Sequence, residues 1–151
     1  MKYPIGIQDF EKIIEDGYVY VDKTDLVYKL ANEGHVYFLS RPRRFGKSLL
    51  ISTLKYYFQG RKDLFKGLAI DKLEKEWAVY PVFHISFGTA NFTKPGTLDD
   101  VIDKYLSDAE NDYQIKTKVK DYGLRFKDIL KAAHKKAGRR AVVLIDEYDK
   151  P

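Results

Sequence analysis

The 151 residues contain no cysteine. That excludes a disulfide framework or a thiolate metal site and leaves the redox compartment to be judged from other features. No apolar run approaches the roughly 18 residues that cross a bilayer, so no membrane partner is expected. The amino terminus, Met1-Lys2-Tyr3-Pro4-Ile5-Gly6, lacks the apolar stretch of a signal peptide, which points to a cytoplasmic address. Repeats, low-complexity segments and a clear linker are missing too, so residues 1–151 are expected to form one domain. His84 and His134 have no ligand-spaced partners, and no zinc site is indicated; His84, in a predicted strand, reads as a packed residue.

What is present is a core-forming composition, 44% hydrophobic and 15% aromatic. The net charge is +5, but 22 acidic residues are interspersed among 27 basic ones, which makes charge a weak pointer to nucleic acid. The basic stretch His134-Lys135-Lys136-Ala137-Gly138-Arg139-Arg140 fits a helix carboxyl end better than a nucleic-acid contact. Tyrosines such as Tyr18, Tyr20, Tyr56 and Tyr57 fit amphipathic packing better than base stacking.

Phe10, Ile13 and Ile14 have helical spacing, with Asp9 as cap and Gly17 as stop. Tyr18-Val19-Tyr20-Val21 is a short β-prone run, and a second helix through Leu26, Val27 and Leu30 is expected to finish around Gly34. Val36 to Leu39 has no polar alternation, as in a strand buried on both faces of a parallel sheet. A helix from Lys47 to Phe58 follows, with Leu50, Leu54 and Tyr57 or Phe58 on one side and Gly60 to stop it. Residues 64–70 read as a turn region and Asp71 to Tyr80 as a helix containing Trp77. A strand begun by Pro81 runs to Phe87, Gly88 to Gly96 is a loop, and Thr97 caps a helix through Leu98, Val101, Ile102, Tyr105 and Leu106. Phe126, Ile129, Leu130 and Ala133 mark another helix before Gly138, and Ala141 to Ile145 a last strand. Alternating strands and helices imply an α/β fold with a mainly parallel sheet.

Two segments carry chemistry. Ser40-Arg41-Pro42-Arg43-Arg44-Phe45-Gly46-Lys47-Ser48 lies between a predicted strand and a predicted helix and ends in the Gly-Lys-Ser of a phosphate-binding loop. Such a loop surrounds phosphates with backbone N–H groups, sets a lysine ammonium on the β and γ oxygens and offers a hydroxyl to magnesium. The pattern's first glycine is replaced by Arg41, which implies a different entry geometry. Residues 43–49, Arg43, Arg44, Phe45, Gly46, Lys47, Ser48 and Leu49, form the expected nucleotide contact. Within it, Arg43 and Arg44 read either as γ-phosphate donors or, more in keeping with exposed loops, as solvated side chains.

The second segment is Asp146-Glu147, at the end of the last apolar run. There a carboxylate reaches the carboxyl edge of the sheet, where ligands of open α/β sheets bind. Asp146 suits a magnesium ion held chiefly through its waters, and Glu147 suits the orientation and deprotonation of an attacking water. A glutamate beside the metal aspartate favours hydrolysis over transfer to a small molecule.

With both segments in view, the chain resembles the bacterial AAA-ATPase-like family. The resemblance rests on Gly6-Ile7-Gln8-Asp9-Phe10, on Tyr18-Val19-Tyr20-Val21-Asp22-Lys23-Thr24, on Phe38 to Leu49 with its Walker A-like RPRRFGKS, and on Val143 to Pro151 with its Walker B-like acidic pair. Arg41 is that family's own variant. The resemblance implies a P-loop NTPase fold with an additional strand between those bearing the two motifs, and ATP and Mg²⁺ as cofactors. It implies Lys47 and Ser48 on phosphate and magnesium, Asp146 on magnesium, Glu147 on the water, and residues 5–10 near the adenine. Similar proteins usually continue past the acidic pair, often into a nuclease-like domain. A chain ending at Pro151 is therefore expected to be truncated, with an incomplete sheet. The Val36 and Val142 strands would pair directly, or a missing segment or another chain, as in a homo-oligomer, would fill the gap.

ATP hydrolysis coupled to an unknown task is the leading expectation. A regulatory nucleotide-binding module without turnover and a nucleic-acid-binding module are the alternatives. Asp22-Lys23-Thr24 is left between a nucleotide contact and a contact with a neighbouring helix.

Overall fold

The computed structural model describes residues 2–33, 47–88 and 90–147. The expected strand Val36 to Leu39, residues 40–46 of the phosphate loop and Tyr148 to Pro151 lie outside them. The chain divides into two compact units, Met1–Val79 and Tyr80–Pro151.

The described part of the first unit is helical, with α1 Phe10–Glu15, α2 Thr24–Glu33, α3 Lys47–Phe58, α4 Lys62–Phe65 and α5 Ala69–Leu73. Asp9 caps α1 by accepting from Lys12 N at 3.2 Å, as its sequence position predicts. Phe10, Ile13, Val27, Phe65 and Ile70 are buried at the centre. Phe65 stacks on Phe10 with ring centroids 4.8 Å apart and meets Trp77 at 5.4 Å. Full burial of each such side chain stabilises by about 1.5–3 kcal/mol. Tyrosines join this packing: Tyr20 lies edge-on to Phe10, and burial with Asp22 nearby pushes its hydroxyl up to about 12.

Several expectations change here. Tyr18 to Val21 is not a strand; Tyr18 makes one isolated parallel bridge to Lys2. Residues 64–70 are not a plain turn, since α4 and the start of α5 occupy them. The helix expected from Asp71 to Tyr80 stops at Leu73, and Trp77 has φ +49°. Gly60 explains part of this. Its φ is +70°, and a Cβ there would meet Trp77 O at 2.8 Å and Val79 Cγ2 at 2.9 Å, so the segment after α5 lies across the end of α3 rather than continuing as a helix. The face that α3 buries is also more polar than expected: Ser52, Thr53, Tyr56, Tyr57 and Phe58 are buried, while Leu50 and Leu54 are half-buried.

The second unit is mixed α/β, with β1 Val82–Ser86, α6 Thr97–Asp112, α7 Tyr122–Ala137 and β2 Val142–Asp146. β1 and β2 form a small parallel sheet in the register Val82 to Val142 through Ser86 to Asp146. The last strand therefore pairs with the strand begun by Pro81, and the Val36 strand proposed as its partner lies outside the described residues. Phe83 packs with Leu106 and Ala109 of α6 and with Ile129 and Ala133 of α7. Across the register from Phe83, Val143 is 38% exposed and Ile145 is 46% exposed, so the two helices cover the β1 half of that face. Thr97 does not cap α6: Gly96, at φ +80°, precedes the helix, and the Thr97 hydroxyl donates to Lys94 O. Asp121 caps α7 and Gly138 ends it at φ +70°.

Candidate functional site

Because β1 and β2 are parallel, their carboxyl ends meet at one edge of the sheet, and the acidic pair stands there. Asp146 is opposite Ser86, and Phe87 N donates to Asp146 O at 3.2 Å, carrying the ladder one residue past β1. Glu147 N donates to Asp146 Oδ1 at 2.9 Å, which occupies one carboxylate oxygen with the backbone. Glu147 takes φ +55°, a conformation that non-glycine residues rarely adopt. In it the Glu147 carboxylate lies against Gly88, in the space that a side chain at that position would fill. Both acidic residues are half-buried.

In the first unit, Lys47, Ser48 and Leu49 form the first turn of α3 as described, and each is half-buried. That turn has no acidic residue, which suits an anion at its N–H groups. Leu49 O accepts from Thr53 Oγ1 at 2.7 Å and from Ser52 Oγ at 3.0 Å. Arg43, Arg44, Phe45 and Gly46 lie outside the described residues. Lys47 and Ser48 thus belong to one unit and Asp146 and Glu147 to the other. Among the described residues no cluster of three or more His, Asp or Glu side chains is placed to hold a metal. Taken unit by unit, the first offers the Ser48 hydroxyl and the second the Asp146 carboxylate, each a hard oxygen of the kind Mg²⁺ accepts.

The amino-terminal segment is tied to α3. Ser52 Oγ accepts from Phe10 N at 2.9 Å and donates towards Gln8 O at 3.1 Å. Tyr56 OH donates to Asp9 Oδ1 at 2.8 Å, and burial together with this carboxylate raises the Tyr56 hydroxyl above its ordinary range. Ile5, expected near the adenine, is 91% exposed.

Asp22-Lys23-Thr24 reaches a neighbouring helix. Asp22 Oδ1 accepts from Thr24 N and Thr24 Oγ1 at the start of α2, and Oδ2 accepts from Ala69 N at 2.7 Å. Thr24 Oγ1 accepts from Ile70 N at 3.0 Å. Asp22 and the first residue of α2 thereby serve the first N–H groups of α5, whose own preceding residue Leu68 supplies no cap. Burial works to raise the Asp22 carboxyl, but the hydrogen bonds from Thr24 and Ala69 together hold it below the usual range.

The basic stretch ends α7, with His134, Lys135 and Lys136 in the last turn. Lys136 Nζ sits 5.7 Å from the Tyr113 ring and the Arg139 guanidinium 5.5 Å from the Tyr80 ring, as a helix end packed on aromatics requires. The sequence did not single out Gly88, because only the register brings it beside the acidic pair. Among the described residues no helix is long and apolar enough to cross a membrane.

Comparison with known proteins agrees with the resemblance. The chain is 44% identical over 152 residues to a protein of Azotobacter chroococcum mcd 1 described as "Uncharacterized protein in vnfD 5'region". The alignment covers 99% of this chain and 29% of the relative. No solved structure matches. The sequence matches the family described as "Predicted AAA-ATPase" over residues 4–151. The chain belongs to this AAA-ATPase-like family.

Proposed function

We propose that the chain is the nucleotide-binding core of a magnesium-dependent, P-loop-type ATPase, working in the cytoplasm and coupling ATP hydrolysis to a task of the whole protein. The observation that carries this reading is the acidic pair at the carboxyl edge of a parallel strand pair, in a chain of an ATPase-like family. Lys47 would place an ammonium on the phosphate under attack, Ser48 would offer its hydroxyl to the metal, and Asp146 would hold the ion chiefly through its waters. Glu147 is the group that accepts the proton of the attacking water. When bound, Mg²⁺ neutralises charge building up on the phosphate oxygens. The chain spans 29% of the length of its relative, so the coupled process and the partners belong to this proposal for the whole protein.

Mg-ATP binding measured by calorimetry tests the reading. Binding to the wild type is expected, with a loss of about 10-fold or more in Lys47→Ala, the scale of one charge-assisted phosphate contact. A folded protein that binds no ATP, or binds it regardless of Lys47, defeats it. Glu147→Gln separates turnover from regulatory binding. It should keep nucleotide affinity and abolish hydrolysis, whereas a regulatory module has no hydrolysis to lose.

A further inference from the structure

We propose that Gly88 is a positioning residue for turnover: it leaves empty the space in which the Glu147 carboxylate must lie. The inference rests on Glu147 being the base. β1 and β2 run side by side to Ser86 and Asp146, and Phe87 N still bonds Asp146 O, so Gly88 is fixed beside the residue that follows β2. Glu147 has a positive φ, and its carboxylate lies at that position. A Cβ built on Gly88 overlaps the Glu147 carboxylate outright, with Oε2 its nearest neighbour. Nothing in the backbone demands glycine, because Gly88 is absent from the residues with positive φ. Glycine is required there by the carboxylate.

The same geometry predicts how a substitution acts. The atoms struck by an added methyl are the end of a flexible side chain, so the fold can absorb Gly88→Ala by moving the carboxylate about 2 Å to restore ordinary contact. A general base works within a hydrogen bond of the water it deprotonates, and a misplacement of about 1 Å can cost on the order of 100-fold. Gly88→Ala is therefore expected to lower kcat about 100-fold, with ATP affinity and KM within about twofold of wild type and the melting temperature nearly unchanged. Aspartate is one methylene shorter than glutamate and does not fill the same space. Adding Gly88→Ala to Glu147→Asp should accordingly cost much less than adding it to the wild type.

The experiment measures kcat, KM, ATP binding and melting for wild type, Gly88→Ala, Glu147→Asp and the double variant. A fall in kcat alone, relieved in the aspartate background, supports the proposal. It is overturned if Gly88→Ala turns over like wild type, or if the loss is equally large in the Glu147→Asp background. If Gly88→Ala does not fold but the double variant does, the clash is still located at the carboxylate; if neither folds, the space belongs to something else and the proposal fails. A wild type that binds ATP without hydrolysing it defeats the reading of Glu147 itself, a different result from an active wild type indifferent to Gly88.

Discussion

Arg125 offers the sharpest test of what holds the second unit together. Its side chain is 9% exposed and grips α6 from α7 in three places. Nη2 and Nε reach Glu110 Oε1 and Oε2 at 2.6 and 3.3 Å, Nη1 reaches Asp103 Oδ1 at 2.6 Å, and Nη2 also donates to Ser107 Oγ at 3.2 Å. Glu110 is as buried as Arg125, while Asp103 is 58% exposed. Hydrogen bonds to Glu110 first, then Asp103, raise the guanidinium further above its ordinary value. Removing the arginine leaves a buried carboxylate without its counter-charge. Removing Glu110 leaves the arginine with Asp103 and Ser107.

The two deletions should therefore be unequal. Arg125→Met is expected to cost about 3–5 kcal/mol, the usual result of stranding one member of a buried pair. Glu110→Leu should cost about 1–3 kcal/mol, and the double variant, which buries methylenes where charges stood, should be more stable than Arg125→Met alone. Urea titration followed by circular dichroism reads these differences. With a slope of about 1–3 kcal/mol per molar, Arg125→Met should lower the midpoint by roughly 1–5 M. The reasoning fails if Arg125→Met shifts it by less than the equivalent of about 1 kcal/mol, or if the single losses simply add in the double variant, since residues sharing one network must couple.

Asp22→Asn should destabilise the first unit by about 1 kcal/mol at neutral pH by weakening a shared helix cap. Because the folded Asp22 carboxyl sits below its ordinary value, its contribution is present above the unfolded value near 3.9 and is lost as pH falls through the folded value. The stability gap between wild type and variant, measured by urea titration at several pH values, should hold from about pH 7 to 5 and close below about 4; a gap that widens in acid would contradict the cap. Ser52→Ala removes the acceptor for Phe10 N, a buried donor, and should cost about 1–3 kcal/mol in the same assay. A loss indistinguishable from zero would show that the amino-terminal segment is not anchored through this hydroxyl.

The elements legible in the sequence were those whose signals are local. α1 has its aspartate cap, α7 its terminal glycine, and β1 and β2 are short apolar runs with turn residues nearby. The place of Asp146 at the carboxyl end of β2 was legible for the same reason. What escaped depended on contacts distant in sequence. α5 is capped by Asp22 and by Thr24 of α2, so its start carries no cap of its own for a local reading to find. The run after it has helical composition, but Tyr57 OH donates to the Glu74 carboxylate and Gly60 admits the backbone at Trp77, contacts that override propensity. Gly88 sits in a stretch with loop composition, and its neighbour Glu147 is brought to it only by strand register.

The polar face of α3 bears on the proposed site more directly than its leucines do. An apolar stripe fixes which side of a helix is buried but tolerates small rotations, because dispersion contacts have little direction. Hydrogen bonds are directional. Ser52 joins α3 to both Phe10 N and Gln8 O, and Tyr56 on the next turn joins it to Asp9. These partners lie on one short segment, so they fix the rotation of α3 about its axis. Thr53 turns its hydroxyl back to Leu49 O, and the single Ser52 hydrogen is shared between Leu49 O and Gln8 O, a bonding pattern that bends helices slightly. Lys47 and Ser48 stand one turn before these anchors. Under the proposed function, the polar residues that weaken α3 as a hydrophobic element set the direction in which its ammonium and hydroxyl meet a phosphate.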